Sequence, residues 1–316
     1  MTEFTGFAAS PIPTEPSQQS VRLLKRMAPN RKMQERIRAR GLSLWLFRLM
    51  MDTIALFARP PDGGTVRSVR YDDGVRGRLV TGRDADPANG MLLWVHGGAF
   101  VSGSPRLEQQ LAAAYGEAAR IPAFVPHYRL APEHPFPAAA DDVLAAYRCL
   151  LRQGFSADRL RVAGMSSGGG LVVGLLGDLR REGLPMPAAV LLVSPVLQLS
   201  TELAHRRDTQ SPDPASSPNF IERTNKAYAA QTPLSQPRLD YLAADMRGWP
   251  PVLVQVGGTE CIAAEAELLG ATMHAAGARC EVQIWPGQVH GFPGIGGNTV
   301  PEAKSAREYG SRFLVG

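Results

Sequence analysis

The sequence predicts an α/β protein: a mostly parallel central sheet with helices on both faces. Three observations carry this. Short apolar runs alternate with amphipathic stretches for more than 200 residues beyond residue 60. Several of the apolar runs stop at glycine-bearing turns, as MLLWV does before His96-Gly97-Gly98. The chain has 316 residues, of which 44% are hydrophobic, enough for one substantial core. Disorder is excluded by that hydrophobic content. Collagen and coiled coils are excluded by the lack of a Gly-X-Y or heptad period.

Residues 1–20 are a Pro-rich lead-in expected to fray. Residues 20–59 predict one or two helices, broken near Ala28-Pro29-Asn30 and again at Gly41. The run from Leu42 to Phe57 is apolar but interrupted by Arg48 and Asp52, and too short to span a bilayer. It is expected to be a buried or cap-forming helix, in preference to a peripheral membrane contact. Strands are expected at 66–71, 77–81, Met91–Val95, 123–127, 160–163, Ala189–Val193, 252–256 and 280–284. Helices are expected at 107–120, 138–153, 169–181, 220–230, 263–276 and Pro301–Phe313. Residues 1–60 and 200–235 break the alternation. The expected organisation is thus an N-terminal helical segment, 1–60, and an alternating α/β body, 61–316, with an insertion at 200–235.

Net charge is +5, unevenly distributed. Residues 1–60 hold ten basic and four acidic side chains, which leaves the rest of the chain at −1. The basic arm reads as a solvated helix face; no recognised nucleic-acid-binding motif accompanies it, and nucleic acid is not an expected partner. The first twenty residues lack the basic start and apolar core of a signal peptide. Three cysteines, Cys149, Cys261 and Cys280, form no CxxC pair, so neither a disulfide scaffold nor a structural zinc site is expected. A cytoplasmic location follows as the expectation.

The most informative tract is Gly164-Met165-Ser166-Ser167-Gly168, between an expected strand and an expected helix. Such a Gly-x-Ser-x-Gly turn pushes one serine into an exposed, strained position. The helix behind it offers free N–H groups and a positive dipole end to a developing anion. Ser166 is therefore the candidate nucleophile, and Ser167 contributes its backbone N–H. Upstream, His96-Gly97-Gly98-Ala99 follows a buried strand. Its glycines allow a path that turns main-chain N–H groups inward, as an oxyanion hole requires. Gly97, Gly98, Ala99 and Ser167 are the candidate oxyanion residues, with Gly97 shaping the loop and Ala99 narrowing the pocket. His96 is expected to fix the loop by hydrogen bonding.

A serine nucleophile needs a base, and the base an orienting carboxylate. His205 falls in the polar insertion and His274 in a helix. His290 follows the strand CEVQI, at the expected carboxyl edge of the sheet. Glu260 follows Val252–Val256 through Gly257-Gly258-Thr259, thirty residues before His290. These two are the candidate base and acid.

Four tracts now identify a resemblance: HGGAF (96–100), YRLAPEHPFP (128–137), GMSSGG (164–169) and HGF (290–292). The chain resembles the hormone-sensitive-lipase-like carboxylesterases, the bacterial family IV group of the α/β-hydrolase fold, over about residues 88–315. It departs from them at the elbow, where Met165-Ser166-Ser167 replaces Asp-Ser-Ala. The acid segment reads Glu260-Cys261-Ile262 in place of Asp-Pro-Leu, and Gln198 stands where an Asp is common after the Ser-Pro strand end. The resemblance implies a serine carboxylesterase acting on short- to medium-chain esters through an acyl-enzyme, with no metal or organic cofactor. It implies that the N-terminal helices and the inserted segment form a cap, and that a homodimer is an expected assembly. The same triad serves lactonases, amidases and deacetylases, and receptor-like members of the fold bind without catalysis. The presence of both Ser166 and His290 weighs against the receptor reading.

Overall fold

The computed structural model describes residues 12–315. Three helices open it: α1 (Gln18–Met27), α2 (Pro29–Arg36) and α3 (Gly41–Leu56). Pro29 and Gly41 separate them, so the segment holds three helices where one or two were expected. The Ser17 side chain caps α1 by accepting the N–H of Ser20. Ser17 also donates its N–H and hydroxyl to Glu302, at 2.5 and 2.8 Å. The described part of the Pro-rich lead-in is thus tied down; residues 1–11 of that expectation lie outside the described residues.

The alternating body follows. An antiparallel pair, β1 (Thr65–Arg70) and β2 (Arg76–Thr81), precedes β3 (Met91–Val95), α4 (Pro105–Gly116), β4 (Ala123–Pro126) and α5 (Ala138–Arg152). Next come β5 (Leu160–Met165), α6 (Ser167–Glu182) and β6 (Ala189–Val193). The inserted segment carries α7 (Glu202–Gln210) and α8 (Pro218–Ala229). The chain closes with β7 (Val252–Gly257), α9 (Ala263–Ala275), β8 (Cys280–Trp285), α10 (Phe292–Ile295) and α11 (Pro301–Phe313).

The eight strands form one sheet in the order β1-β2-β4-β3-β5-β6-β7-β8. β2 is antiparallel to β4, and β4 through β8 are parallel. Strands buried on both faces read as continuous apolar runs, and so β3 and β6 sit at their expected limits. Along β3, Met91, Leu93 and Val95 point into one apolar layer while Leu92 and Trp94 point into the other. The first layer lies under residues of α5, α6 and α9 and the second under α4 and α11.

Two expectations are corrected. The helix expected to reach Arg120 stops at Gly116, because the chain turns back there to bring Ile121 N–H onto the Gly116 carbonyl at 3.1 Å. Of the two forms expected for the Leu42–Phe57 run, buried or cap-forming, the buried helix is not what the structure holds. Within α3 only Leu44 and Ala55 are buried, and most of its large side chains face solvent. The interrupting Arg48 points inward: its guanidinium donates to the carbonyls of Val101 and Ala131 and to both oxygens of Glu133.

Candidate active site

Five parallel strands, β3, β5, β6, β7 and β8, deliver the site from their carboxyl ends, where open α/β sheets bind ligands. β5 ends at Met165, and Ser166 follows with φ 56° and ψ −123°. That conformation is sparsely populated for a residue with a side chain and marks a strained turn. It is possible because the neighbours are small. A Cβ on Gly168 would lie 2.2 Å from the Val95 carbonyl oxygen, so the helix and the β3 end approach as only glycine allows.

His290 joins this serine to Glu260. Its Nε2 lies 2.9 Å from Ser166 Oγ and its Nδ1 lies 2.7 Å from Glu260 Oε2. Glu260 is fully buried and each oxygen is satisfied: Oε1 accepts the Ser194 hydroxyl and the Gly257 N–H, both at 2.6 Å. Burial alone would lower the pKa of His290. The charge of Glu260 and its hydrogen bond, with smaller help from Asp213 and Glu108, hold it above the ordinary histidine value. The arrangement can therefore accept a proton from the serine and stabilise the resulting imidazolium.

The loop after β3 lies against Ser166. Gly98 has φ 131°, and a Cβ there would strike the Ser102 carbonyl at 2.0 Å. Ala99 follows with φ 56°. Among the described residues the amide N–H groups of Gly98, Ala99 and Ser167 donate to no protein acceptor. The Gly97 amide is different: it donates to Glu108 Oε1 at 2.7 Å. Gly97 thus holds the loop in shape, and its N–H is not free for a substrate oxygen. His96 is buried, stacked on Tyr128, with Nδ1 2.8 Å from the Gly97 carbonyl. Burial depresses its pKa to about 4, so it is neutral and its Nδ1–H donates.

Four residues at this site went unmarked in the sequence. Ser194, just past β6, donates to Glu260 and accepts the Gly291 N–H at 3.0 Å, bridging the Glu260 and His290 loops. Glu108, on the first turn of α4, also accepts Trp94 Nε1–H at 2.6 Å; burial pushes its pKa up to about 7 despite these two donors. Arg207 of α7 donates to the carbonyls of Glu260 and Gly258, each at 2.9 Å. Asp213 accepts the N–H of Cys261 at 3.0 Å. The Ser-Pro tract and a first-turn acid on a helix were visible as residues, but their partners lie 11 to 97 positions away. His205 and His274 are not part of the site; His205 pairs with Glu222.

Above Ser166 is a small cavity of about 60 Å³. Its wall includes Ala99, Phe100, Val196, Phe220, Ile221 and His290. Gln34 of α2 reaches the same wall and accepts the Ser217 N–H at 2.9 Å.

The family model described as alpha/beta hydrolase fold matches residues 92–294. An acetyl-hydrolase of Streptomyces hygroscopicus is 36% identical over 223 residues, 71% of this chain and 74% of that protein. An esterase, LipU, of Mycobacterium tuberculosis is 33% identical over 260 residues, 79% of this chain and 87% of its own length. The solved structure of an esterase from the bacterial hormone-sensitive lipase family superposes with a TM-score of 0.84 at 29% identity, covering 95% of this chain and 98% of that one. With the strand order and the turn at Ser166, these likenesses establish that the chain belongs to the α/β hydrolase fold family, among its hormone-sensitive-lipase-like esterases.

Proposed function

We propose that this chain hydrolyses carboxylic esters of short- to medium-chain acids through an acyl-enzyme, with Ser166 as nucleophile, His290 as general base and acid, and Glu260 as the orienting carboxylate. The observation that carries the reading is the unbroken relay from Ser166 through His290 to Glu260, at 2.9 and 2.7 Å. His290 takes the Ser166 proton as Oγ attacks the ester carbonyl. The amides of Gly98, Ala99 and Ser167 receive the negative charge that develops on the carbonyl oxygen, and the loss of one such donor costs on the order of 3 kcal/mol of barrier. His290 then protonates the leaving alcohol, and water repeats the sequence on the acyl-serine. Glu260 keeps Nδ1 protonated and stabilises the imidazolium between steps.

The narrow cavity under Phe220 and Ile221 supports small acyl groups. The acetyl-hydrolase among the relatives supports the same end of the range. Helices α1 to α3 and the α7–α8 insertion act as the cap in this proposal, since Gln34 and Phe220 reach the cavity wall. A homodimer remains part of it, to be read from the mass in solution. The cysteines are free, which suits the proposed cytoplasmic location.

The test is covalent labelling by a fluorophosphonate together with turnover of p-nitrophenyl esters of increasing chain length. The parent labels at Ser166 and turns over the short esters fastest. Ser166→Ala neither labels nor shows burst acylation while melting as the parent does. Labelling elsewhere, or a rate maximum at long chains, overturns the reading.

A further inference from the structure

We propose that the outward face of α3 is a docking surface for an anionic lipid bilayer. The proposal starts from helical geometry. At 100° per residue, Leu42, Trp45, Leu46, Leu49, Leu56 and Phe57 share one stripe nearly four turns long, interrupted only by Thr53. All six are exposed, from 47% at Leu49 to 80% at Phe57. The opposite face is already used: Leu44 and Ala55 are buried and Phe47 packs edge-on against Phe220 at 5.7 Å. The stripe is therefore not the half of the helix that the fold needs. A contiguous patch of this kind marks an interaction site, whereas scattered single leucines would not.

Charge selects the occupant. Arg36, Arg38 and Arg40 precede the stripe and Arg59 follows it, all exposed and outside any ion pair among the described residues. Asp52 is the one acid on α3, at the edge of the stripe, and Asp62 lies beyond Arg59. A second copy seated on this face by a two-fold axis, helix against antiparallel helix, would bring Arg38 and Arg40 against Arg59 of its mate, like charge against like. An anionic headgroup layer meets the arginines favourably and takes the apolar side chains below the headgroups. An interfacial tryptophan, Trp45, sits within the stripe, as such helices favour. No described helix is long and apolar enough to cross a membrane, so α3 lies along the surface.

The experiment uses the full chain with vesicles of phosphatidylcholine alone and of an equimolar mixture with phosphatidylglycerol. Of the four tryptophans, Trp94, Trp249 and Trp285 are buried, so a shift in emission on binding reports Trp45. The chain is expected to sediment with the mixed vesicles, its emission moving to the blue. Trp45→Phe keeps the sedimentation and loses the shift. Leu46→Glu with Leu49→Glu lowers the partition roughly tenfold or more while turnover of p-nitrophenyl acetate and the melting temperature stay at parent values. Arg38→Gln and Arg40→Gln each weaken binding to the mixed vesicles about fivefold. Failure of the parent to sediment, equal sedimentation of the double glutamate variant, or a solution dimer that this variant splits without any vesicle binding each overturns the proposal.

Discussion

The buried carboxylate of Glu108 accepts the backbone N–H of Gly97, 2.7 Å away, just before the two loop amides, of Gly98 and Ala99, that donate to no protein acceptor among the described residues. Its second oxygen holds Trp94 Nε1–H at 2.6 Å. One side chain on α4 therefore pins both the end of β3 and the turn into the proposed oxyanion loop. Glu108→Ala orphans two buried donors, each costing about 1–3 kcal/mol. Some of that appears as misplaced amides: kcat is expected to fall on the order of 10²-fold with KM nearly unchanged. Glu108→Gln keeps one acceptor oxygen and turns an amide N–H toward the other donor, so it falls between parent and alanine. Equal kcat in all three proteins would remove Glu108 from the reaction.

His290 makes opposite demands on pH. In the proposed reaction its neutral form is the base, so kcat/KM should drop as pH falls through its folded pKa, which Glu260 holds above the ordinary histidine value against the pull of burial. A raised pKa also means that the charged imidazolium contributes stability. That contribution is fully present below the unfolded value and disappears as pH rises through the folded one. Activity and this share of stability should thus exchange across the same window, above the free-histidine pKa. Glu260→Gln removes the main cause of the elevation. Its acid limb moves to lower pH and its rate falls on the order of 10⁴-fold. A limb that stays in place in this variant would assign the titration to another group.

Ala99 stands with φ 56° on the cavity wall, where glycine would carry no Cβ penalty. Relief of about 1–2 kcal/mol of left-handed strain competes with about 0.5–1 kcal/mol of extra unfolded-chain entropy. Ala99→Gly should therefore melt at or slightly above the parent. Loss of the methyl also widens the cavity. The ratio of kcat/KM for p-nitrophenyl butyrate over acetate should rise roughly tenfold, the scale of one methylene in an apolar pocket. An unchanged ratio would place the acyl chain away from this wall.

The parts of the molecule legible in the sequence are those whose causes are local. β3 and β6 are continuous apolar runs, and the Ser166 turn is written in five consecutive residues. α7 was not legible: its residues are mostly polar, and only Ala204 is buried. What holds it is distant chemistry: Arg31 of α2 forks onto both oxygens of Asp208, and Arg207 reaches the Glu260 loop. The exposure of α3 was hidden for the converse reason. Its apolar content matches a core helix, and only the packing partners, present on one side alone, tell the two faces apart. Ser194 belongs with α7, since its two partners are 66 and 97 residues away.

Ser194 gives the sharpest test of how the acid and base loops are kept in register. Its hydroxyl donates to Glu260 and accepts from Gly291, the residue after His290, while its own backbone sits at φ 45°. Ser194→Ala leaves Glu260 Oε1 with Gly257 N–H as its remaining donor and leaves the Gly291 N–H buried without an acceptor. A loss of about 1–3 kcal/mol in stability is expected from the orphaned donor. If the hydroxyl only braced the fold, the effect would end there. As a positioning residue it also sets the angle at which the imidazole meets Ser166, so kcat should fall roughly 10–100-fold at temperatures well below melting, with KM little changed. Ser194→Gly separates the two contributions. It removes the hydroxyl but relieves the left-handed backbone, so it should recover part of the stability and none of the kcat; recovery of kcat in step with stability would refute the positioning role.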